Sequence, residues 1–97
     1  MFLAEVRGTV VSPVQHAVLD GHRLLLVQPV DPAGRDQGPT RIAIDLASAA
    51  PGERVLVVDE GNAGRQLLDA PNGPVKTVIV GIVDFVEIEG ELTYTHD

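Results

Sequence analysis

Ala4-Glu5-Val6-Arg7-Gly8-Thr9-Val10 reads as a half-buried β-strand. Ala4, Val6, Gly8 and Val10 share one face and Glu5, Arg7 and Thr9 the other, a period of two that no helix produces. Ser12-Pro13 ends the segment. Downstream, after a stretch closing in the tight-turn signal Asp20-Gly21, Leu24-Leu25-Leu26-Val27-Gln28-Pro29 is apolar at consecutive positions. That pattern predicts a strand covered on both faces. Asp31 to Pro39 is dense in turn formers and reads as an exposed loop.

Two more strands follow, Arg41 to Leu46 and Arg54 to Val58, with Pro51-Gly52 marking the turn between them. Asn62 is placed to cap one short helix, in which Gln66, Leu67 and Leu68 are helix formers, before Pro71-Asn72-Gly73-Pro74 stops it. The last third is a long β-rich stretch from Val75 to Glu89, a Glu89-Gly90 turn, and a final strand Leu92 to Thr95. Short strands separated by turns argue for a barrel or sandwich. Five or so of them with one interposed helix predict an all-β, OB-like five-stranded barrel with a short α-helix and a C-terminal β extension.

A chain of 97 residues makes one small domain, for which self-association is a natural route to added stability. With no cysteine there is no disulfide framework, thiolate metal site or thiol nucleophile. The N-terminus meets Glu5 and Arg7 too early for a signal peptide, and no apolar run reaches membrane-spanning length, so the expectation is a soluble cytosolic protein. A formal net charge of -7 repels polyanions, and two Phe and one Tyr leave little on which bases could stack. Neither nucleic acid nor membrane is therefore expected as a partner.

Few residues are arranged for chemistry. Asp84 is the sole carboxylate on the face Val78, Val80, Ile82, Asp84, Val86, Ile88, where burial would raise its pKa toward that of a general acid. Asp45, after Ile42-Ala43-Ile44, is its possible partner in a carboxylate pair, although a strand-end Asp more often accepts backbone N–H bonds. His16, His22 and His96 show no metal-ligand spacing and read as surface residues, and no cofactor or metal is implied. Ser12 and Ser48 lack the flanking glycines of a nucleophile elbow. Gly61-Asn62-Ala63-Gly64-Arg65 could offer backbone N–H groups to an anion but lacks the Lys-Ser/Thr of a P-loop, and a helix cap accounts for it. Gly8 and Gly81, interrupting strand patterns, mark bulges or barrel curvature.

In register along the chain, four segments resemble the EutN/CcmL family of bacterial microcompartment shell proteins. They are Ala4 to Ser12; Leu24 to Pro29; Ala43-Ile44-Asp45 with Gly52-Glu53-Arg54-Val55-Leu56-Val57; and Pro74-Val75 with Val80-Gly81-Ile82-Val83-Asp84. Two departures stand out. Ala47-Ser48-Ala49-Ala50-Pro51 occupies the place of a Gly-Ala-Gly stretch, and Gly61-Asn62-Ala63-Gly64-Arg65 that of Gly-Ser-Ser-Ala-Arg. The resemblance implies that residues 1–97 form a single shell vertex domain with no enzymatic activity. It further implies a homo-pentamer that caps the vertices of a polyhedral, carboxysome-like shell tiled by hexameric and pseudohexameric proteins in the bacterial cytoplasm. Asp45, Gly61, Asn62, Ala63, Gly64, Arg65 and Asp84 are then the candidates for the oligomer interface or axis. The alternatives are an OB-like module binding a small ligand or peptide, and an enzyme using Asp45 with Asp84.

Overall fold

The computed structural model describes residues 1–11, 22–59 and 77–96. Seven strands lie within them: β1 (Phe2–Val10), β2 (Arg23–Val30), β3 (Arg41–Asp45), β4 (Arg54–Val58), β5 (Val78–Ile82), β6 (Phe85–Ile88) and β7 (Glu91–Thr95). The first five close into a barrel in the order β1-β2-β3-β5-β4, and β6 pairs with β7 as a separate two-stranded sheet. The short helix expected after Asn62 and the Asp20-Gly21 turn lie outside the described residues.

Closure follows from which strands can reach β1. It pairs antiparallel with β2 from Leu3↔Val30 to Val10↔Leu24, and antiparallel with β4 from Phe2↔Val57 to Glu5↔Arg54. The remaining seam is the parallel pair β3–β5, through Ile44↔Val78 and Asp45↔Ile79. A closed ring of strands leaves no edge in the barrel for another strand to join. Ala4, Val6, Leu25, Val27, Val55, Val57 and Ile79 fill the interior, so the alternation read in the first segment does set the buried face.

Gly8 follows a slip of register between Val6 and Gly8 against β2, and Gly81 adjoins another between β4 and β5. A Cβ at either glycine would meet nothing within 4 Å, so these positions serve local bending rather than a close backbone contact.

Two strand readings differ from the structure. In β2 the half-buried Leu24 and Leu26 alternate with the buried Leu25 and Val27, and only from Val27 to Val30 are residues buried in succession. What covers that end is the 31–39 loop: Gln37 N–H donates to the Pro29 carbonyl (2.8 Å), and Gln28 Nε2 donates to the Gly38 carbonyl (2.9 Å). The loop itself is organised by Asp31, whose carboxylate accepts the Ala33 and Arg35 N–H groups at 2.9 Å each. The second difference is a break in the Val75–Glu89 stretch at Val83-Asp84. There Val83 N–H donates to the Arg54 carbonyl (2.9 Å), and the chain leaves the barrel to form the β6–β7 arm. At the arm's tip Glu89 (φ 50°) and Gly90 (φ 88°) both take the left-handed conformation that a tight two-residue hairpin turn requires.

Candidate functional site

Asp45 closes β3 with a side chain only 1% exposed. Its carboxylate accepts the N–H of Ala47 (3.0 Å) and of Ala49 (3.1 Å), and takes a charge-assisted bond from Arg23 Nη2 (2.7 Å). The same Arg23 nitrogen donates to the Ala49 carbonyl at 2.6 Å. These bonds fold residues 45–49 back on themselves, with Ser48 at φ 57°, and drive Ala49 into the barrel core. Burial pushes the Asp45 pKa up, but the two backbone donors and Arg23 outweigh it, and the group ends below its ordinary 3.8. A general acid needs the opposite shift. The strand-end structural use is the one observed.

Asp84 departs from its expected setting. It is exposed rather than enclosed by aliphatic neighbours, because the strand face on which it was read breaks at this residue. Its main chain is engaged instead. The Asp84 carbonyl accepts the N–H of His96 (2.8 Å), tying the end of β7 to the start of β6. Asp45 and Asp84 therefore stand in unlike environments, one saturated by internal donors and one open to solvent. Gly61, Asn62, Ala63, Gly64 and Arg65 lie outside the described residues. Among the described residues no group of three or more His, Cys, Asp or Glu side chains is placed to hold a metal ion.

The residues brought together most closely are ones the sequence did not single out. Arg54, 7% exposed, opens β4 with its guanidinium over the Tyr94 ring, 4.4 Å from the centroid. Its backbone N–H donates to Tyr94 Oη at 3.1 Å. Glu5 approaches Arg54 Nη2 at 3.8 Å, while Nε and Nη1 are buried with no hydrogen-bond acceptor among the described residues. Beside this stack, His96 Nε2 and Glu53 Oε2 are 2.6 Å apart, and Thr93 Oγ1 donates to the Pro32 carbonyl at 2.6 Å. The bond to His96, with the Ala50 N–H, holds the Glu53 carboxyl below its ordinary 4.5. Together these contacts clamp the β6–β7 arm to the barrel. Tyr94 is the only tyrosine in the chain, but nothing in its local sequence identifies Arg54, forty positions away, as its partner.

The arrangement is one of strand ends, turns and a clamped arm, and the comparisons agree with a structural chain. A family model described as "Ethanolamine utilisation protein EutN/carboxysome" matches residues 1–84. The bacterial microcompartment shell vertex protein EutN of Escherichia coli (strain K12) is 38% identical over 94 residues, covering 97% of this chain and 98% of that one. A solved structure of an ethanolamine utilization protein, EutN, superposes with a TM-score of 0.90 at 38% identity, covering 99% of both chains. The GrpN pentameric microcompartment shell protein from Rhodospirillum rubrum superposes with a TM-score of 0.79 at 35% identity, covering 91% of this chain and 99% of that one. On sequence over residues 1–84, and on fold over nearly its whole length, this chain belongs to the EutN/CcmL family.

Proposed function

We propose that this chain is a non-enzymatic shell subunit of a bacterial microcompartment, and that five copies form a ring capping a vertex of the shell. The observation that carries the reading is its likeness along 91% of its length to a shell protein that is itself pentameric. Physical reasoning runs the same way. A flat layer of hexagonal tiles closes into a polyhedron only where fivefold units interrupt it, and a cyclic pentamer is such a unit. The ring's partners are the hexameric and pseudohexameric shell proteins around each vertex, in the bacterial cytoplasm. Of the candidate interface residues, Asp84 is exposed and free to meet a neighbour, whereas Asp45 is occupied within its own chain and serves by holding its turn. Gly61 to Arg65 keep their proposed place at the interface or axis.

Native mass spectrometry tests the ring: five chains of 10.3 kDa give a species of about 52 kDa. Electron microscopy tests the vertex role. Cognate hexameric shell proteins produced without this chain are expected to form open-vertexed shells, sheets or tubes, and adding the purified protein is expected to seal them. A dominant monomer at micromolar concentration would favour the ligand-binding module instead. Fully closed particles without this or any other pentameric protein would refute the vertex role.

A further inference from the structure

Two elements far apart in the sequence meet at the Arg54 guanidinium. From the arm comes the Tyr94 ring, its centroid 4.4 Å from the guanidinium carbon. From the 31–39 loop comes Gly34, in the left-handed conformation (φ 91°), where an added Cβ would stand 3.5 Å from Arg54 Nη2 and 3.7 Å from Nη1. Among the described glycines only Gly34 has another residue this close; Gly8, Gly38, Gly52, Gly81 and Gly90 all face open space. Asp31 fixes its position, because the Asp31 carbonyl accepts the Gly34 N–H (2.8 Å) and the Asp31 carboxylate accepts those of Ala33 and Arg35. The far end of the loop is tied separately, through Gln37 to Pro29 and through Gly38 to Gln28.

Turn 31–35 and the arm thus enclose a full charge that has few partners of its own. Arg54 is 7% exposed, its Nε and Nη1 are buried without acceptors among the described residues, and Glu5 Oε2 lies 3.8 Å from Nη2. A cation is held by an aromatic face more strongly when water is kept away from it. Conversely, a guanidinium with unpaired donors gains much from any water admitted. Loosening the turn therefore hydrates Arg54 and weakens its hold on Tyr94, and loosening the arm weakens the packing beneath the turn. Each contact is strongest when the other is made, which is a coupling free energy between two surface elements, and such a coupling is reciprocal.

We infer that the buried Arg54 cation couples the 31–35 turn to the β6–β7 arm, so that whatever orders or disturbs one surface is felt at the other while the barrel stays closed. The coupling lies within one chain and holds whether or not a ring forms. Native-state hydrogen exchange of the whole chain reads the two elements separately. Gly34→Ala strains a left-handed backbone and loosens the turn. It is expected to speed exchange of the β6–β7 amides on the order of 5- to 10-fold and to leave β3 and β5 unchanged. Asp31→Ala, which removes the turn's carboxylate acceptor, loosens the turn by a second route and is expected to speed arm exchange likewise. Gly38→Ala, equally strained (φ 83°) but at the loop's other end with open space around it, is expected to leave the arm as it was. Arg54→Met keeps the bulk without the charge, and in that background Gly34→Ala is expected to have no effect on the arm. Thr93→Val removes the direct bond to the Pro32 carbonyl (2.6 Å) and is expected to leave the effect of Gly34→Ala in place. An arm unchanged by both Gly34→Ala and Asp31→Ala overturns the inference, as does an equal response to Gly38→Ala. Persistence of the effect in Arg54→Met overturns it too, and its loss in Thr93→Val reassigns the coupling to that bond.

Discussion

Asp45 converts a strand end into a rigid corner by accepting two backbone N–H groups and one guanidinium bond with its carboxylate. Asp45→Asn keeps the shape but loses the charge and one acceptor oxygen, and is expected to destabilise the chain by about 1–3 kcal/mol at pH 7, measured by urea unfolding. The folded-state pKa of Asp45 lies below its ordinary 3.8, so its contribution is present above that value and is lost as the pH falls through the folded-state one. The gap between wild type and Asp45→Asn should therefore narrow below about pH 4; a gap unchanged down to about pH 2 would show that the charge is not what stabilises the corner. Arg54 poses the reverse case. Two of its guanidinium nitrogens are buried without acceptors among the described residues, and the compensation comes from the Tyr94 ring and a distant Glu5. Arg54→Met fills the same space without that desolvation cost and is expected to lie within about 1 kcal/mol of wild type or above it, whereas Arg54→Ala leaves a cavity and should lose about 2–3 kcal/mol. Equal losses in the two variants would mean that the cation itself is required.

At the scale of elements, the barrel is continuous while the arm is fastened at a few points. Tyr94 supplies both a ring beneath Arg54 and a hydroxyl that accepts the Arg54 N–H. Tyr94→Phe retains the ring and should cost about 1 kcal/mol; Tyr94→Ala removes both contacts and should raise hydrogen exchange along β6 and β7 well before it affects β1 to β4. Uniform loss of protection across all strands would show instead that arm and barrel unfold as one. Glu53 adds a pH-dependent fastening, since its bond to His96 holds the carboxyl below its ordinary 4.5. Arm protection is thus expected to decline as the pH falls from about 4.5 through the lower folded-state value, and His96→Ala should abolish that dependence.

For the whole molecule, the decisive quantities are charge and closure. The barrel is OB-like, an architecture often used for oligonucleotides, but a net charge of -7 and three aromatic residues oppose that use. Titration with labelled single-stranded DNA is expected to show no salt-sensitive binding at micromolar concentration. A closed barrel leaves no barrel edge through which copies could join by strand pairing, so among the described strands only β6 and β7 present free edges.

The first strand was legible from the sequence because alternation is local: a side chain two residues away faces the same side whatever the rest of the chain does, and Ala4 and Val6 are buried accordingly. The turns at Pro51-Gly52 and Glu89-Gly90 were legible for a similar reason, since their composition answers to backbone angles within a few residues. The all-β class and OB-like barrel followed from those elements, with the family resemblance agreeing. Contacts between distant positions were not legible. Covering of Pro29 and Val30 by their loop, the break at Val83-Asp84 and the stacking of Arg54 on Tyr94 each depend on which strands become neighbours once the barrel closes. Asp84 shows the difference most plainly. Local periodicity placed it on an aliphatic face, but β5 ends at Ile82, the last link to β4 is the bond from Val83 to Arg54, 29 positions away, and Asp84 beyond it is left in water.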